Sequence, residues 1–267
     1  MLQAAAFIRR GFLNQLSYPV SFILRLLSTF TFVATFYFVA RLVGPQSDNP
    51  LLHTYGGDYM AFLVIGVVFQ GYINVAQNSF SQAIQDEQRW GTLEFLLLSR
   101  SPIHWVLAGF ALWSFLWETL NAIVVLSSAV MVFGLQLNVN LLAATLFLIL
   151  ATLGMTGIGI ISAGVVMVTK QGNPVQWFIG LLAGLLSGVY YPIEVFPAWL
   201  QAIARCLPTT HALIGLRQAL LTHTPLSELK EQLFILAAFA CISIPLGLLV
   251  FRWGFARAKR EGSLSYY

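Results

Sequence analysis

The chain has 267 residues, of which 58% are hydrophobic and only 9% charged, with a formal net charge of +4. Soluble globular domains carry roughly 25% charged residues, so this chain has too few polar groups to cover a surface in water, and we expect lipid to cover it. The basic residues flank apolar runs, as they do in membrane proteins, which excludes a nucleic-acid-binding role.

The first predicted element covers residues 1–18. At helical spacing this segment has roughly one apolar and one polar face, with Phe7, Ile8, Phe12, Leu13 and Leu16 set against Arg9, Arg10, Asn14 and Gln15. This pattern favours an amphipathic helix at the membrane interface, where basic side chains meet anionic lipid headgroups. A flexible N-terminal tail is the alternative.

Six stretches are long and apolar enough to span a membrane, which takes about 20 residues. No charged residue occurs between Glu118 and Lys170, and this stretch divides into two spans at the turn-formers of 134–140. The predicted spans are 19–43, 59–81, 104–133, 141–169, 175–191 and 232–253. We therefore predict an all-α integral membrane protein of one domain, with spans one to five within 19–191 and span six and a basic tail within 232–267.

The lysines and arginines predict the orientation. With both termini in the cytoplasm, ten of the fourteen lie on the inner side. The four outside are Arg41, Arg205, Arg217 and Lys230. The expected location is a bacterial-type cytoplasmic membrane.

A cytoplasmic loop at 82–101 joins spans two and three. Gly91 permits a sharp change of direction, and Thr92 can cap a short helix over 93–99. Such a helix, apolar on one face, fits the groove of a partner protein. An ordinary solvated loop is equally compatible with these residues.

Glu118 is the one acid deep inside the apolar runs. An intramembrane carboxylate is costly and by default marks function. It has either a structural role, with Asn121 one turn away, or a role in a substrate or proton pathway. The early turns of span three could also place it nearer the cytoplasm.

Two sets of glycines occur in the spans. Gly180, Gly184 and Gly188 recur every four residues in span five and predict a smooth face where another helix packs, either at a dimer or pathway interface or within one chain. The less regular glycines of span four, from Gly154 to Gly164, indicate plain packing.

The segment 192–231 is predicted to be external and contains four prolines. Irregular backbone at membrane depth must be buried or line a cavity, so we expect short re-entrant helices here. Tyr190, Tyr191 and Phe196 cluster at its start. They form either an interfacial aromatic belt or an exit gate.

Two motifs resemble those of type-two ATP-binding-cassette exporter permeases. The first runs from Glu87 to Pro102 (EQRWGTLEFLLLSRSP), where the family shows an acidic-basic cluster, Gly-Thr-Leu-Glu, leucines and a proline. The second runs from Ser187 to Leu200 (SGVYYPIEVFPAWL) and continues through a Leu-Pro motif before the last span. Both occur in the family's order, and the resemblance covers nearly the whole chain.

This resemblance implies a coupling helix seated on a separate ATPase and re-entrant helices at 192–207 above the pathway. It implies an assembly of two ATPase subunits with two permeases, the second being another copy of this chain or a related permease. Membrane lipid surrounds the permeases. Trp90 departs from the family, which usually has a small or charged residue there. The implied coupling residues are Glu87, Arg89, Gly91, Thr92, Leu93, Glu94 and Leu97.

No G-x-x-x-x-G-K-[ST] sequence is present, so ATP and magnesium are expected on the partner ATPase, and the chain is not expected to be an enzyme or to hold a cofactor. Its few intramembrane charges favour a hydrophobic or amphipathic substrate, such as a drug, a lipid or a lipid-linked glycan. A stand-alone secondary transporter or channel is the alternative. The dispersed histidines and the spacing of the two cysteines predict neither a lipid-modifying enzyme nor a metal site.

Overall fold

The computed structural model describes residues 19–43, 55, 57–89, 91, 103–169 and 173–260. Every regular element in these ranges is a helix, which confirms the predicted fold class. The predicted interfacial helix at 1–18 lies outside the described residues, as do Thr92, Leu93, Glu94 and Leu97. The helices are α1 Pro19–Val43, α2 Tyr59–Arg89, α3 Ile103–Phe133, α4 Leu141–Thr169, α5 Pro174–Leu186, a 3-10 helix Ile193–Val195, α6 Ala198–Cys206, α7 Pro208–Leu221 and α8 Lys230–Arg260.

Several helices are long enough to cross a membrane. Among the described residues four qualify by length and apolar composition, and they are Tyr59–Arg89, Ala111–Phe133, Leu141–Thr169 and Lys230–Arg260, with Leu27–Arg41 and Pro174–Leu186 as shorter apolar helices. α2, α3 and α8 each have 31 residues, or about 46 Å, against about 30 Å of hydrocarbon. Their ends therefore extend beyond the hydrocarbon. α2 continues as helix to Arg89, past the predicted end at 81, because polar residues end the apolar run without ending the helix.

α5 is shorter than the span predicted at 175–191. It has 13 residues, or about 20 Å, which is too short to cross the hydrocarbon alone. Its start is well defined, since Pro174 occupies the first turn and the side chain of Asn173 accepts a hydrogen bond from the N–H of Gln176. It ends at Leu186 because Gly188 adopts a φ of 78°, in the left-handed region.

α4 lies at the centre of the fold, packed against α2, α7 and α8. Its contact with α8 is a backbone-to-backbone approach: a side chain at Gly157 would overlap Ser243, and one at Gly164 would overlap Phe251. Small residues allow helices to associate closely in lipid. The interpretation of the span-four glycines as packing residues is confirmed.

α7 turns back into the bundle and packs against α2, α4 and α8. The loop between α3 and α4 completes its last turn, because the N–H groups of Asn138 and Asn140 donate to the carbonyls of Leu220 and Ala219 at 3.0 and 2.7 Å. Carbonyls at the end of a helix have no partner inside the helix. This loop therefore stabilises α7, whose buried face includes Arg217.

Candidate functional site

A cavity of about 350 Å³ lies between α2 and α3. On each helix the lining residues lie on one face, because successive ones are either adjacent in sequence or three or four positions apart. Most of the α2 face is amide and hydroxyl side chains, so the cavity is polar although both helices are largely apolar. The lining residues are Gly71, Asn74, Val75, Asn78, Ser79, Gln82, Trp113, Ser114, Trp117 and Glu118.

Glu118 is the central residue of α3, which spans Ile103–Phe133. It lies about 23 Å from each end of a helix about 46 Å long. The helix exceeds a 30 Å hydrocarbon core by about 16 Å, and however that excess is divided, an upright α3 keeps Glu118 within the core. The length of α3 therefore favours a carboxylate at membrane depth over one near the cytoplasm.

The carboxylate of Glu118 is positioned by three helices. It lies against Gly71 of α2, where an added Cβ would overlap its Oε1 atom. The side-chain amide of Asn121 donates to Glu118 Oε1 at 3.4 Å, and the hydroxyl of Thr29 on α1 donates to Asn121 Oδ1 at 3.2 Å. The structural partner expected from the sequence is present, and the carboxylate also lines the cavity.

Arg217 on α7 is 2% exposed and joins three parts of the chain. Its Nε and Nη2 atoms donate to the carbonyl of Phe62 on α2 at 3.2 and 3.0 Å. Its Nη1 donates to the carbonyl of Gly188 at 2.7 Å, and its Nη2 to that of Val189 at 2.9 Å. Because a planar guanidinium serves several acceptors at once, Arg217 fastens the turn after α5 to α2.

The surroundings of Arg217 are aromatic. Its guanidinium carbon lies 3.2 Å from the centroid of the Phe62 ring and 5.8 Å from that of Tyr55. Burial lowers the pKa of Arg217 to about 9, so the side chain stays charged at pH 7. Burial, and secondarily the charge of Glu194, raises the pKa of Tyr55 to about 12, while Arg217 opposes this shift.

Arg217 was counted only among the basic residues on the outer side of the membrane, and its burial was not predicted. The residue is buried inside a helix, and its acceptors are backbone carbonyls. The signal available in the sequence was its place within 208–221, where apolar residues recur at helical spacing around it.

The predicted aromatic residues lie together. The rings of Tyr191 and Phe196 meet edge to face with centroids 5.3 Å apart. Tyr190 stacks on Phe36 of α1 at 6.1 Å, and its carbonyl accepts a hydrogen bond from the hydroxyl of Tyr59 at 3.0 Å. These contacts tie the cluster to α1 and α2; its role as belt or gate stays a prediction.

Glu118 lies apart from this aromatic cluster. Gly71, which touches Glu118, and Tyr59, whose hydroxyl donates to the carbonyl of Tyr190, are separated by about 18 Å along α2. The predicted pathway residues therefore form two separate sites, both in contact with the same helix.

The predicted glycine strip is wrong in one of its three members. Gly180 and Gly184 lie on α5, and no described atom lies within 4 Å of a Cβ added at either, so their face is open among the described residues. Gly188 lies beyond the helix end at Leu186, and its φ of 78° places it in the turn beside Ile193. A left-handed residue leaves the helical spiral, so Gly188 does not stack above Gly184.

The end of α2 leads into the predicted coupling loop. Gly91 has a φ of 68° and donates its N–H to the carbonyl of Gln88 at 3.1 Å, which confirms the change of direction. Glu87 is buried, whereas Arg89 is exposed, with its Nη1 atom 3.9 Å from Asp86 Oδ1. In the single chain Arg89 is therefore the more accessible of these two coupling candidates.

Asn173 forms a polar junction that the sequence analysis missed. Its Oδ1 accepts from the hydroxyl of Ser162 on α4 at 2.6 Å and from the N–H of Gln176 at 3.1 Å. Its Nδ2 donates to the hydroxyl of Ser81 on α2 at 3.0 Å. An Asn directly before Pro174 is a helix-capping signature, but its contacts with α2 and α4 depend on the tertiary fold.

Comparison with known proteins indicates the class of membrane protein to which the chain belongs. Residues 2–221 match the family described as ABC-2 type transporter. The chain is also 28% identical over 163 residues to the linearmycin resistance permease protein LnrN of Bacillus subtilis (strain 168), a match that covers 61% of this chain and 41% of that protein. Among the described residues, no group of three His, Cys, Asp or Glu side chains could hold a metal ion. With its family match over most of its length and its bundle of apolar helices, the chain belongs to the ABC-2 type transporter family as an all-helical membrane protein.

Proposed function

We propose that this chain is the permease subunit of an ATP-driven exporter for a hydrophobic or amphipathic substrate. The family match over residues 2–221 is the observation that carries this proposal. The related Bacillus subtilis protein is named a resistance permease, and resistance is consistent with outward transport. Without a phosphate-binding loop in this sequence, ATP hydrolysis falls to a partner ATPase.

The partner ATPase would engage the loop after α2. Gly91 turns the chain out of α2, and Arg89 is exposed beside it. Residues 92–97 complete this contact in the proposal, with Glu94 as the acidic member of the implied coupling helix. In this arrangement the loop and both termini face the cytoplasm, and the membrane is the cytoplasmic membrane of a bacterium.

α2 would transmit the movement of the ATPase. It is one continuous helix from Tyr59 to Arg89, and its neighbours along the way are Glu118 and, further on, Arg217. A displacement at the Arg89 end therefore reaches both the cavity and the turn after α5. Alternating access then arises from rigid-body movement of helices around the cavity.

A second permease would cover the open face of α5. Gly180 and Gly184 are open to approach, and the apolar side chains of Trp177 and Leu181 are 72% and 46% exposed on the same helix. Small residues flanked by exposed apolar side chains suit helix association in lipid. The proposed unit is two permeases with two ATPases.

The test uses inside-out membrane vesicles that contain this chain and its partner ABC ATPase. ATP should drive accumulation of a fluorescent amphipathic dye, and a non-hydrolysable nucleotide should not. Glu94→Arg should lower dye uptake per ATP hydrolysed without lowering the amount of chain in the membrane, whereas the nearby Arg100→Lys should be mild. Accumulation that needs an ion gradient and proceeds without the ATPase would instead establish a secondary transporter.

A further inference from the structure

The cavity between α2 and α3 has a lining typical of a binding site for hydroxyl groups. Asn74, Asn78 and Gln82 form a ladder at four-residue intervals on α2, and Ser79 adds a hydroxyl. Amide and hydroxyl side chains both donate and accept hydrogen bonds. Hydroxyl groups of a ligand do the same, so the two sets are complementary.

Two polar atoms of this lining lack a hydrogen-bond partner among the described residues. Ser79 is 5% exposed and its Oγ is unpartnered, as is Oδ1 of Asn78. Buried polar groups in native proteins nearly always have a partner. Both atoms have almost no accessible surface in this conformation, and a rotation of either side chain toward the cavity would let a ligand or water complete their hydrogen bonds.

The charge of the lining selects against anions. Glu118 is acidic, and none of the residues that the structure describes around the cavity is basic. A phosphate or carboxylate placed there would meet a carboxylate in a medium that screens charge poorly. The ligand head is therefore neutral or cationic, and the predominance of neutral amides over a single carboxylate favours the neutral class.

The tryptophans supply an apolar wall. Trp113 and Trp117 are one helical turn apart on α3, with ring centroids 6.4 Å apart, and both line the cavity. The flat face of an indole packs well against the C–H face of a polyol or sugar ring, while hydroxyls at the ring edge reach the amides opposite. Next to these residues, Leu112 and Leu116 are 42% and 44% exposed on α3, where an apolar tail would remain in lipid.

We propose that this cavity binds the neutral, hydroxyl-rich head of an amphipathic molecule, whose apolar tail stays in the surrounding lipid. The lining extends from Gly71 to Gln82, about 16 Å along α2, which is long enough for a head of one or two rings. The inference deepens the proposed export function by naming the substrate class, and binding to the cavity is measurable without ATP or transport.

The experiment is photolabelling of the full chain in nucleotide-free membranes with an octyl glucoside that carries a diazirine on the sugar ring. We expect adducts on the peptides that contain 74–82 and 113–118, with labelling suppressed by unmodified octyl glucoside and not by octyl phosphate. Asn78→Leu should raise the half-saturating probe concentration about tenfold. Ser79→Ala, which changes the shape little, should weaken labelling in the same direction.

The control variant is Gln136→Leu, because Gln136 is an exposed amide outside this cavity, and its labelling should equal that of the parent. Adducts spread over lipid-facing peptides, or labelling that is unchanged in both Asn78→Leu and Ser79→Ala, would overturn the proposal. Competition by octylammonium that exceeds that of octyl glucoside would overturn the neutral class in favour of a cation. Transport failure with normal labelling would count against the export function alone.

Discussion

Replacing Arg217 with methionine tests whether this buried arginine holds the turn after α5 against α2. Methionine keeps an unbranched apolar side chain, shorter than arginine, and removes all the donors. The carbonyls of Gly188 and Val189 then lose the donors that lie at 2.7 and 2.9 Å, whereas the carbonyl of Phe62 lies within α2, where a helical N–H can serve it.

Each buried carbonyl left without a donor costs about 1–3 kcal/mol, so the two together cost about 2–6 kcal/mol. Removing the guanidinium also relieves the cost of burying a charge, and we take the net loss as about 3 kcal/mol. For a chain of this size such a loss lowers the melting temperature by about 6–12 °C. Fluorescence-monitored thermal unfolding of the purified protein in detergent measures this shift.

Two further variants serve as comparisons for the melting temperature of Arg217→Met. Arg205→Met removes an arginine that is exposed on α6 and should leave the melting temperature within a degree or two of the parent. Arg217→Lys keeps the positive charge, but a single ammonium group cannot donate to three carbonyls in the way that a planar guanidinium does. Its melting temperature should therefore lie between those of the parent and the methionine variant. If Arg217→Met unfolds at the temperature of the parent, the guanidinium does not stabilise this turn and the reasoning fails.

Three further predictions follow from the same structure. Gly71→Ala should impair transport at a stability cost of no more than about 1 kcal/mol, because its Cβ would displace the flexible carboxylate end of Glu118, whereas Gly180→Ala, which meets no described atom within 4 Å, should melt like the parent. Single cysteines at Arg89 and Ser227, in a background without the two native cysteines, should react with an impermeant reagent from opposite sides of the membrane; same-side labelling would contradict the proposed topology. Gly184→Leu should reduce the yield of crosslinked dimer while the single chain stays folded, with Gly184→Ala as the mild comparison; an unchanged dimer yield for Gly184→Leu would leave α5 facing lipid.

Hydropathy was sufficient to predict the long helices, because an apolar run without charge has few other uses in a chain of this composition. It misplaced the end of α5, since the apolar residues continue through Val189 to Tyr191 after the helix has stopped. The stop depends on one left-handed residue, Gly188. Backbone conformation of this kind leaves no trace in the hydrophobic pattern.

The candidate sites were predictable to different degrees. Glu118 stood out because a single acid in an apolar run is costly. Its cavity was not predicted, because the polar ladder from Asn74 to Gln82 acquires meaning only when the register between α2 and α3 is known. Arg217 was missed for a related reason: its partners are backbone carbonyls, which every residue carries and which no side-chain pattern reveals.

The two glycines of α2 at these sites limit how the helix can move. Gly66 approaches the carbonyl of Val189, and Gly71 approaches Glu118, so closely that a Cβ at either position would overlap its neighbour. A slide of α2 by one turn, about 5.4 Å, would replace each glycine by a residue with a larger side chain. At Gly66 the replacement is phenylalanine or glutamine, and at Gly71 it is valine in either direction. One-turn ratchets of the kind seen in other switching proteins are therefore blocked while these contacts persist. A change in the cavity between α2 and α3 must therefore come from separation or approach of the two helices, and not from a one-turn slide of α2 along α3.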